Sequence, residues 1–273
     1  MAGLWCTPIT RHDLIMASPY AQDGFRARFD WGPEGAESVG VGAAIVAVVD
    51  VLSFTTALTV AIDQGIEVFP YRWRDGTADD FARQHNAVLA VSRSQATERG
   101  QISLSAATIR RSRGVQRLVL PSPNGSAIAQ SLAERGSRVV GVSLRNADAA
   151  ADWVAGQLRA SPEAVVAAIA AGERWADGAL RPALEDLWGA GAFLASLANR
   201  GIGPLSPEAV AATATYLHVA DRLPALLADC ASGRELVEYG YPEDVAIAAE
   251  VNVSQSVPVL DGDSFTAAPS TRP

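Results

Sequence analysis

Lysine is missing from this chain of 273 residues: all 22 basic side chains are Arg. That absence excludes Schiff-base chemistry on a Lys and the Walker A phosphate loop. Cysteine is limited to Cys6 and Cys230, too far apart for a zinc cluster, so each reads as a buried small hydrophobe or an exposed free thiol. The three histidines, His12, His85 and His218, are isolated and read as structural or surface residues rather than as a ligand set. No apolar run approaches the roughly 18 residues of a membrane span. Residues 1–8 lack the basic start and apolar centre of a secretory signal, so a cytoplasmic protein without a membrane partner is expected. A net charge of −8 and a pI near 4.9 argue against a nucleic-acid partner, whose phosphates demand a basic face. A small anionic partner stays compatible, because local Arg clusters decide there.

With 49% hydrophobic and 19% charged residues, the composition is that of an ordinary globular protein with a substantial core. Four apolar runs of strand length each stop at a short loop of small polar residues. Ala44–Val49 ends at Asp50-Val51-Leu52-Ser53-Phe54-Thr55-Thr56, and Arg117–Leu120 at Pro121-Ser122-Pro123-Asn124-Gly125-Ser126. Arg138–Val142 ends at Ser143-Leu144-Arg145-Asn146, and Val165–Ala170 at Ala171-Gly172-Glu173-Arg174. Continuous apolar runs are the pattern of strands buried on both faces, and α/β sheets bind ligands beyond their strands' carboxyl ends. Strands lying side by side would bring these loops together as a site for an anion.

Around this frame, Phe25–Trp31 alternates like a half-buried strand and Gly32–Gly35 reads as a turn. Helices are expected at Thr55–Ile62, at Ala78–His85 and after Ser105, with strands at Ile66–Tyr71 and Val88–Val91. The polar stretch containing Glu98-Arg99-Gly100 reads as a loop. From Leu184 the pattern is mainly helical: Leu184–Asn199, Pro207–His218, Leu223–Ala231, Arg234–Tyr239 and Glu243–Val251. A short apolar piece, Val257–Leu260, precedes a polar tail expected to fray. The reading is one α/β domain over 1–273: a mixed or parallel sheet flanked by helices, an irregular segment at 1–43, and a helical portion at 184–256.

Each candidate loop has two readings that the sequence leaves open. Asp50 can cap the helix that follows or ligate a hard cation such as Mg2+. Thr55 and Thr56 can cap the same helix or offer hydroxyls to an oxyanion at its positive end. In the second loop, Asn-Gly supplies a residue able to take positive φ. Gly125 would let backbone amides approach an anion while Asn124, Ser122 and Ser126 hydrogen-bond it. Arg145, Asn146, Glu173 and Arg174 lie beyond the later strands, where an Arg fork suits phosphate or sulfonate. Glu185 and Asp186 either complement a helix dipole or supply a second metal ligand and a general base. Gly189 and Gly191 cost that helix about 1 kcal/mol each relative to Ala, which points to a close contact there, such as with another helix.

At these loops the chain resembles the 2-phosphosulfolactate phosphatase (ComB-like) family. The similarity rests on Asp50-Val51-Leu52 followed by hydroxyl residues, and on Pro121–Ser126, which is similar to a Pro-Thr-Thr-Asn-Gly-Thr loop. It extends to Arg145-Asn146, to Ala171-Gly172 before Glu185-Asp186, and to Val257-Pro258-Val259. The resemblance implies a Mg2+-dependent hydrolase that removes phosphate from 2-phospho-3-sulfolactate. By that resemblance Asp50 and Glu185 would hold the metal, with Asp50, Glu185 and Asp186 as the catalytic carboxylates. Ser53, Thr55, Thr56, Ser122, Asn124, Gly125, Ser126, Arg145, Asn146, Glu173 and Arg174 would bind the substrate. A homo-oligomer is compatible with this reading.

Three departures from the family pattern stand out. Ser53 occupies the position of an Arg, Ser103-Leu104-Ser105-Ala106 replaces a Gly-Asn-Ser-Pro segment, and Ser122 and Pro123 replace threonines. Losing a charged hydrogen bond to a polyanion costs roughly 1.5–3 kcal/mol. The substrate is then a less charged ester, or Arg93 reaches in as a substitute, or the fold serves as a non-catalytic binder of small anions.

Overall fold

The computed structural model describes residues 18–72, 77–96 and 101–269. Cys6, His12 and the expected Glu98-Arg99-Gly100 loop lie outside the described residues. Strands are β1 (Ala27–Trp31), β2 (Ile45–Val49), β3 (Glu67–Tyr71), β4 (Val88–Leu89), β5 (Arg117–Pro121), β6 (Arg138–Val142) and β7 (Val166–Ala170). A small hairpin, β8 (Glu173–Arg174) and β9 (Leu180–Arg181), precedes the last pair, β10 (Pro258–Asp261) and β11 (Ser264–Ala267). Helices are α1 (Gly32–Val39), α2 (Phe54–Asp63), α3 (Thr77–Gln84), α4 (Ala106–Arg111), α5 (Gly125–Glu134) and α6 (Ala147–Leu158). They continue as α7 (Leu184–Asn199), α8 (Pro207–Val219), α9 (Leu223–Asp229), α10 (Ala231–Glu238) and α11 (Pro242–Ala248).

The main sheet has nine strands in the order β1-β7-β2-β6-β10-β11-β3-β5-β4, a mixed sheet flanked by helices as the sequence pattern implies. Strands β1, β7, β2 and β6 pair in parallel, and so do β3, β5 and β4. Between these blocks the β10–β11 hairpin pairs antiparallel on both sides, through Val259↔Val140 and Phe265↔Val68. Three successive antiparallel steps reverse the second block relative to the first.

Period-two geometry sorts the buried runs onto two faces. Ile45, Ala47, Val49, Val166, Ala168 and Ala170 join a core with α6, α7 and α8. Val46, Val48, Val139, Ala167 and Ile169 face the opposite core, built on α1, α2 and α5. That second core also takes Val68, Leu118 and Leu120 from the other block, so α2 and α5 serve both halves. The two glycines inside α7 are explained by close packing. A Cβ on Gly191 would strike the Ala212 carbonyl and Tyr216 of α8, and one on Gly189 would lie 2.6 Å from Val51 Cγ2 and 2.8 Å from Val49 Cγ1.

Two expectations are corrected. Gly32–Gly35 opens helix α1, where Pro33 stands in the first turn beside Glu34, while Ala36 and Val39 anchor the helix in the core. The polar tail does not fray at once: Ser264–Ala267 forms β11 inside the sheet, because Phe265 is fully buried against Phe54, ring centroids 6.1 Å apart.

Candidate active site

Asp50 leaves the end of β2 and is almost fully buried. Its loop is closed by its own residues: the Thr55 hydroxyl accepts from the Asp50 amide at 3.1 Å and donates to the Asp50 carbonyl at 2.8 Å. The Thr56 hydroxyl donates to the Val51 carbonyl at 2.7 Å. Both threonines are thus spent on shaping the turn, and neither hydroxyl proton is free for a substrate. Asp50 Oδ1 accepts from the Phe54 amide at 3.1 Å, in the manner of a helix cap, while Oδ2 meets the 122–125 loop.

The partner of Oδ2 comes from the other block. The Gly125 amide donates to it at 2.8 Å, and the Ser122 hydroxyl stands at 3.5 Å. Gly125 is required by close approach and not by positive φ: a Cβ there would lie 2.6 Å from both Asp50 Oδ2 and Phe54 Cδ1. The anion that meets its amide is the protein's own carboxylate. Ser126 turns inward and donates to the Leu120 carbonyl at 3.1 Å. Asn124 Nδ2 donates to Glu173 Oε2 at 3.1 Å, tying the second loop to the β8–β9 hairpin.

At the start of α7, Asp186 accepts from the Val51 amide at 2.7 Å and the Gly172 amide at 2.8 Å. Beside it, buried Glu185 accepts from the Cys230 thiol at 3.4 Å. Burial, then the Glu185 carboxylate and the thiol's hydrogen bond to it, push Cys230 up to about 12, so the sulfur stays a neutral donor. Burial and, to a lesser extent, the charge of Glu185 raise Asp50. Asp186 is raised well above the usual carboxylate range by burial, then by Asp50 and Glu185. Glu173 is raised to about 7 by burial and by the same two neighbours. Asp50, Glu173, Glu185 and Asp186 therefore form one electrostatic cluster at the strand ends.

Beside this cluster opens a cavity of about 610 Å3, lined among others by Leu52, Arg93, Glu173, Ser232 and Tyr241. Arg93 Nη2 donates to the Ser53 hydroxyl at 2.5 Å, while its Nε pairs with buried Asp244 at 3.2 Å. Asp244 also accepts from the Ser105 hydroxyl at 2.6 Å and the Ala107 amide at 3.0 Å. A guanidinium from a distant loop thus stands at Ser53, where the resemblance led one to look for an Arg, and the departed 103–106 segment helps anchor it.

Of the residues expected to bind the substrate only Glu173 lines this cavity, and besides Thr55, Thr56 and Ser126, already engaged, three more are held elsewhere. The Arg145 guanidinium is buried and engaged by Asp63 at 3.1 Å and by Glu250. Asn146 is consumed in its own turn, accepting from the Ser143 amide at 2.9 Å and donating to the Gly141 and Ser256 carbonyls at 3.2 Å. Arg174 is exposed and bonds the Gly178 carbonyl at 2.9 Å across the hairpin. The guanidinium that does approach is Arg181, whose Nη2 reaches the Ser232 hydroxyl at 3.4 Å. Sequence reasoning missed Arg181, at the end of the two-residue strand β9, and the α10 residues, none of which follows an apolar run of strand length.

A family model described as 2-phosphosulpholactate phosphatase matches residues 33–263. The chain belongs to that family. The 2-phosphosulpholactate phosphatases are phosphoric monoester hydrolases, and their reaction calls for a small phosphorylated substrate. The matched span holds every carboxylate of the cluster, the Asn124-Gly125 turn, Arg93 and Arg181. No helix among the described residues is long and apolar enough to cross a membrane.

The donor set fits Mg2+ in one coordination mode only. Among the described residues no three His, Cys, Asp or Glu side chains converge as a ligand set, which excludes an all-protein cage. Mg2+ commonly takes one or two carboxylates, several waters and a substrate phosphate. Burial first, and then the crowding of like charge, raise Asp50, Asp186 and Glu173, and a divalent ion relieves the second of these.

Proposed function

We propose that the cleft between Asp50, Glu173 and Arg93 hydrolyses a phosphate monoester with the help of Mg2+. The observation that carries the reading is the cluster itself: carboxylates held against mutual repulsion beside an open cavity that has a guanidinium at its wall. Phosphoryl transfer is accelerated chiefly by positioning and by neutralising charge on the equatorial oxygens. Asp50 and Glu185 are the residues that would hold Mg2+, which would supply that neutralisation together with a polarised water.

The chain's own groups fill the remaining roles. Arg93 offers its guanidinium to the phosphoryl oxygens from the Ser53 side. Glu173 lines the cavity, and burial, the largest cause of its raised carboxyl, suits it to protonate the leaving alkoxide. Asp186 fixes the Val51 and Gly172 backbones and so keeps the two strand-end loops in register.

The test is release of phosphate from 2-phospho-3-sulfolactate and from generic phosphate monoesters, with and without Mg2+. Turnover that requires Mg2+ and disappears in Asp50→Ala supports the proposal. Ligand-induced thermal stabilisation with no turnover at any Mg2+ concentration would replace it with a non-catalytic anion binder.

A further inference from the structure

One cation beside the cavity has no carboxylate to balance it. Arg93 is paired with Asp244, whereas Arg181 is half-buried and forms no ion pair among the described residues. Its polar partner is the Ser232 hydroxyl, which accepts from Nη2 at 3.4 Å on the cavity wall. The guanidinium carbon lies over the Trp175 ring, 5.7 Å from its centroid, an attraction that spends no N–H donor. Most of the Arg181 fork is therefore left for a ligand. Glu235, also on the wall, is exposed and pairs with no cation among the described residues, so water answers its charge.

The hairpin aims Arg181 by register. Arg181 stands directly opposite Glu173 in the antiparallel β8–β9 pair, so both side chains leave on one face, and Glu173 lines the cavity. Arg174 pairs with Leu180 on the other face, which is why the neighbouring guanidinium does not arrive. Close packing fixes the base of the hairpin: a Cβ on Gly172 would lie 2.7 Å from Leu180 Cδ1 and 3.1 Å from the Arg181 carbonyl. We infer, resting on the phosphatase reading that sets the phosphoryl group toward Arg93 and Asp50, that Arg181 and Ser232 receive the second acid group of the substrate, a carboxylate or a sulfonate. The Arg fork takes two of its oxygens, and Ser232 turns its own proton to it while accepting from Arg181. Arg181 thereby selects phosphate esters that carry a further acid over esters that do not.

Compounds that resist hydrolysis separate this inference from the question of turnover. Calorimetric titration in Mg2+ buffer would compare phosphonoacetate and phosphonomethanesulfonate with ethylphosphonate, which lacks the second acid group. At least one of the two compounds that carry it is expected to bind about tenfold tighter, and which one tells the acid received. In Arg181→Gln that margin should vanish while ethylphosphonate affinity holds, and in Arg174→Gln it should remain. Arg181→Gln breaks no ion pair, and an unchanged melting curve would show that it is folded. If it is not, Arg181→Lys, with the charge but no fork, takes its place and should narrow the margin. Equal binding of all three compounds, binding of none, a margin that survives loss of the Arg181 fork, or one lost equally in Arg174→Gln overturns the inference. The expected pattern without phosphate release from any ester would leave the inference standing and sink the catalytic reading alone. Turnover of esters with no such margin would do the reverse.

Discussion

The Gly125 amide donates to the Asp50 carboxylate at 2.8 Å although 75 residues separate them and their strands belong to different blocks of the sheet. Strands β2 and β5 are five places apart in the sheet order, which in a flat sheet means about 24 Å. Helices α2 and α5 pack in the core shared by the two blocks, and Gly125, the first residue of α5, meets Asp50 between them. The candidate active site is the seam between them. A Gly125→Ala substitution should break that seam, since its Cβ would meet Asp50 and Phe54 at 2.6 Å. Overpacking of this kind costs about 1–3 kcal/mol, and phosphatase activity should fall at least a hundredfold in a protein that still folds. Denaturant melts and kcat/KM measure both. Near-native activity would show that the seam is not catalytic.

The stability of the metal-free protein should fall as pH rises from about 5 to 8. Glu173 is raised in the folded state to about 7, so its favourable contribution is complete below its ordinary range and lost as pH climbs through the folded value. Asp50 and Asp186 are raised as well and act in the same direction. The lowered carboxylates, Asp148 and Glu250, lose their contribution only on acidification below the usual carboxylate range, outside this window. Thermal melts across pH should therefore slope downward, Glu173→Gln should flatten the slope, and Mg2+ should raise the melting temperature more at pH 8 than at pH 5. A melting temperature that rises across the window without metal contradicts the placement of the cluster.

Arg145 and Arg93 should separate as a structural and a functional guanidinium. Arg145→Met removes the cation between Asp63 and Glu250 and should cost roughly 3 kcal/mol of stability. The folded fraction should keep its KM. Arg93→Gln leaves its mouth position on the cavity wall without charge, and KM for a phosphate ester should rise about tenfold or more. Steady-state kinetics on the two purified variants decide this. A KM effect confined to Arg145→Met would reverse the assignment.

Gly189→Ala tests the packing of α7 on the Asp50 loop. Ala is the better helix former by about 1 kcal/mol, which alone would stabilise the protein. The added methyl would nonetheless press on Val51 and Val49 at 2.6 and 2.8 Å. Net destabilisation of about 1–2 kcal/mol is expected, because both partners are fully buried in a packed core. A gain in chemical-denaturation stability would show that the loop yields.

Local order in this protein could be read directly. The runs at 45–49, 117–121, 138–142 and 166–170 became strands, because an apolar run between turn residues has few other outcomes. Helix α7 starts and stops where its apolar pattern does, and Gly191 does meet another helix. Ser105 caps α4 by accepting from the Thr108 amide, as a cap-type residue before an apolar turn should. Helix α1 was legible too, in Pro33 and Glu34, but the flanking glycines outweighed that signal.

What the amino-acid order determined by itself was most of the elements, with α1, the β8–β9 hairpin and β11 left out, the position of Asp50, Asn124-Gly125, Glu173 and Glu185-Asp186 at their ends, and the family. Tertiary structure alone decided the strand order, the reversal of one block by the β10–β11 hairpin, and which Arg serves the cavity. Arg145 and Arg93 are both Arg residues near strand ends, and only the carboxylates across space, Asp63 and Glu250 for one and Asp244 for the other, tell them apart. The physical reason is range. Periodicity, caps and turns act over a few residues along the chain, whereas burial and ion pairing act between groups that only the finished fold makes neighbours.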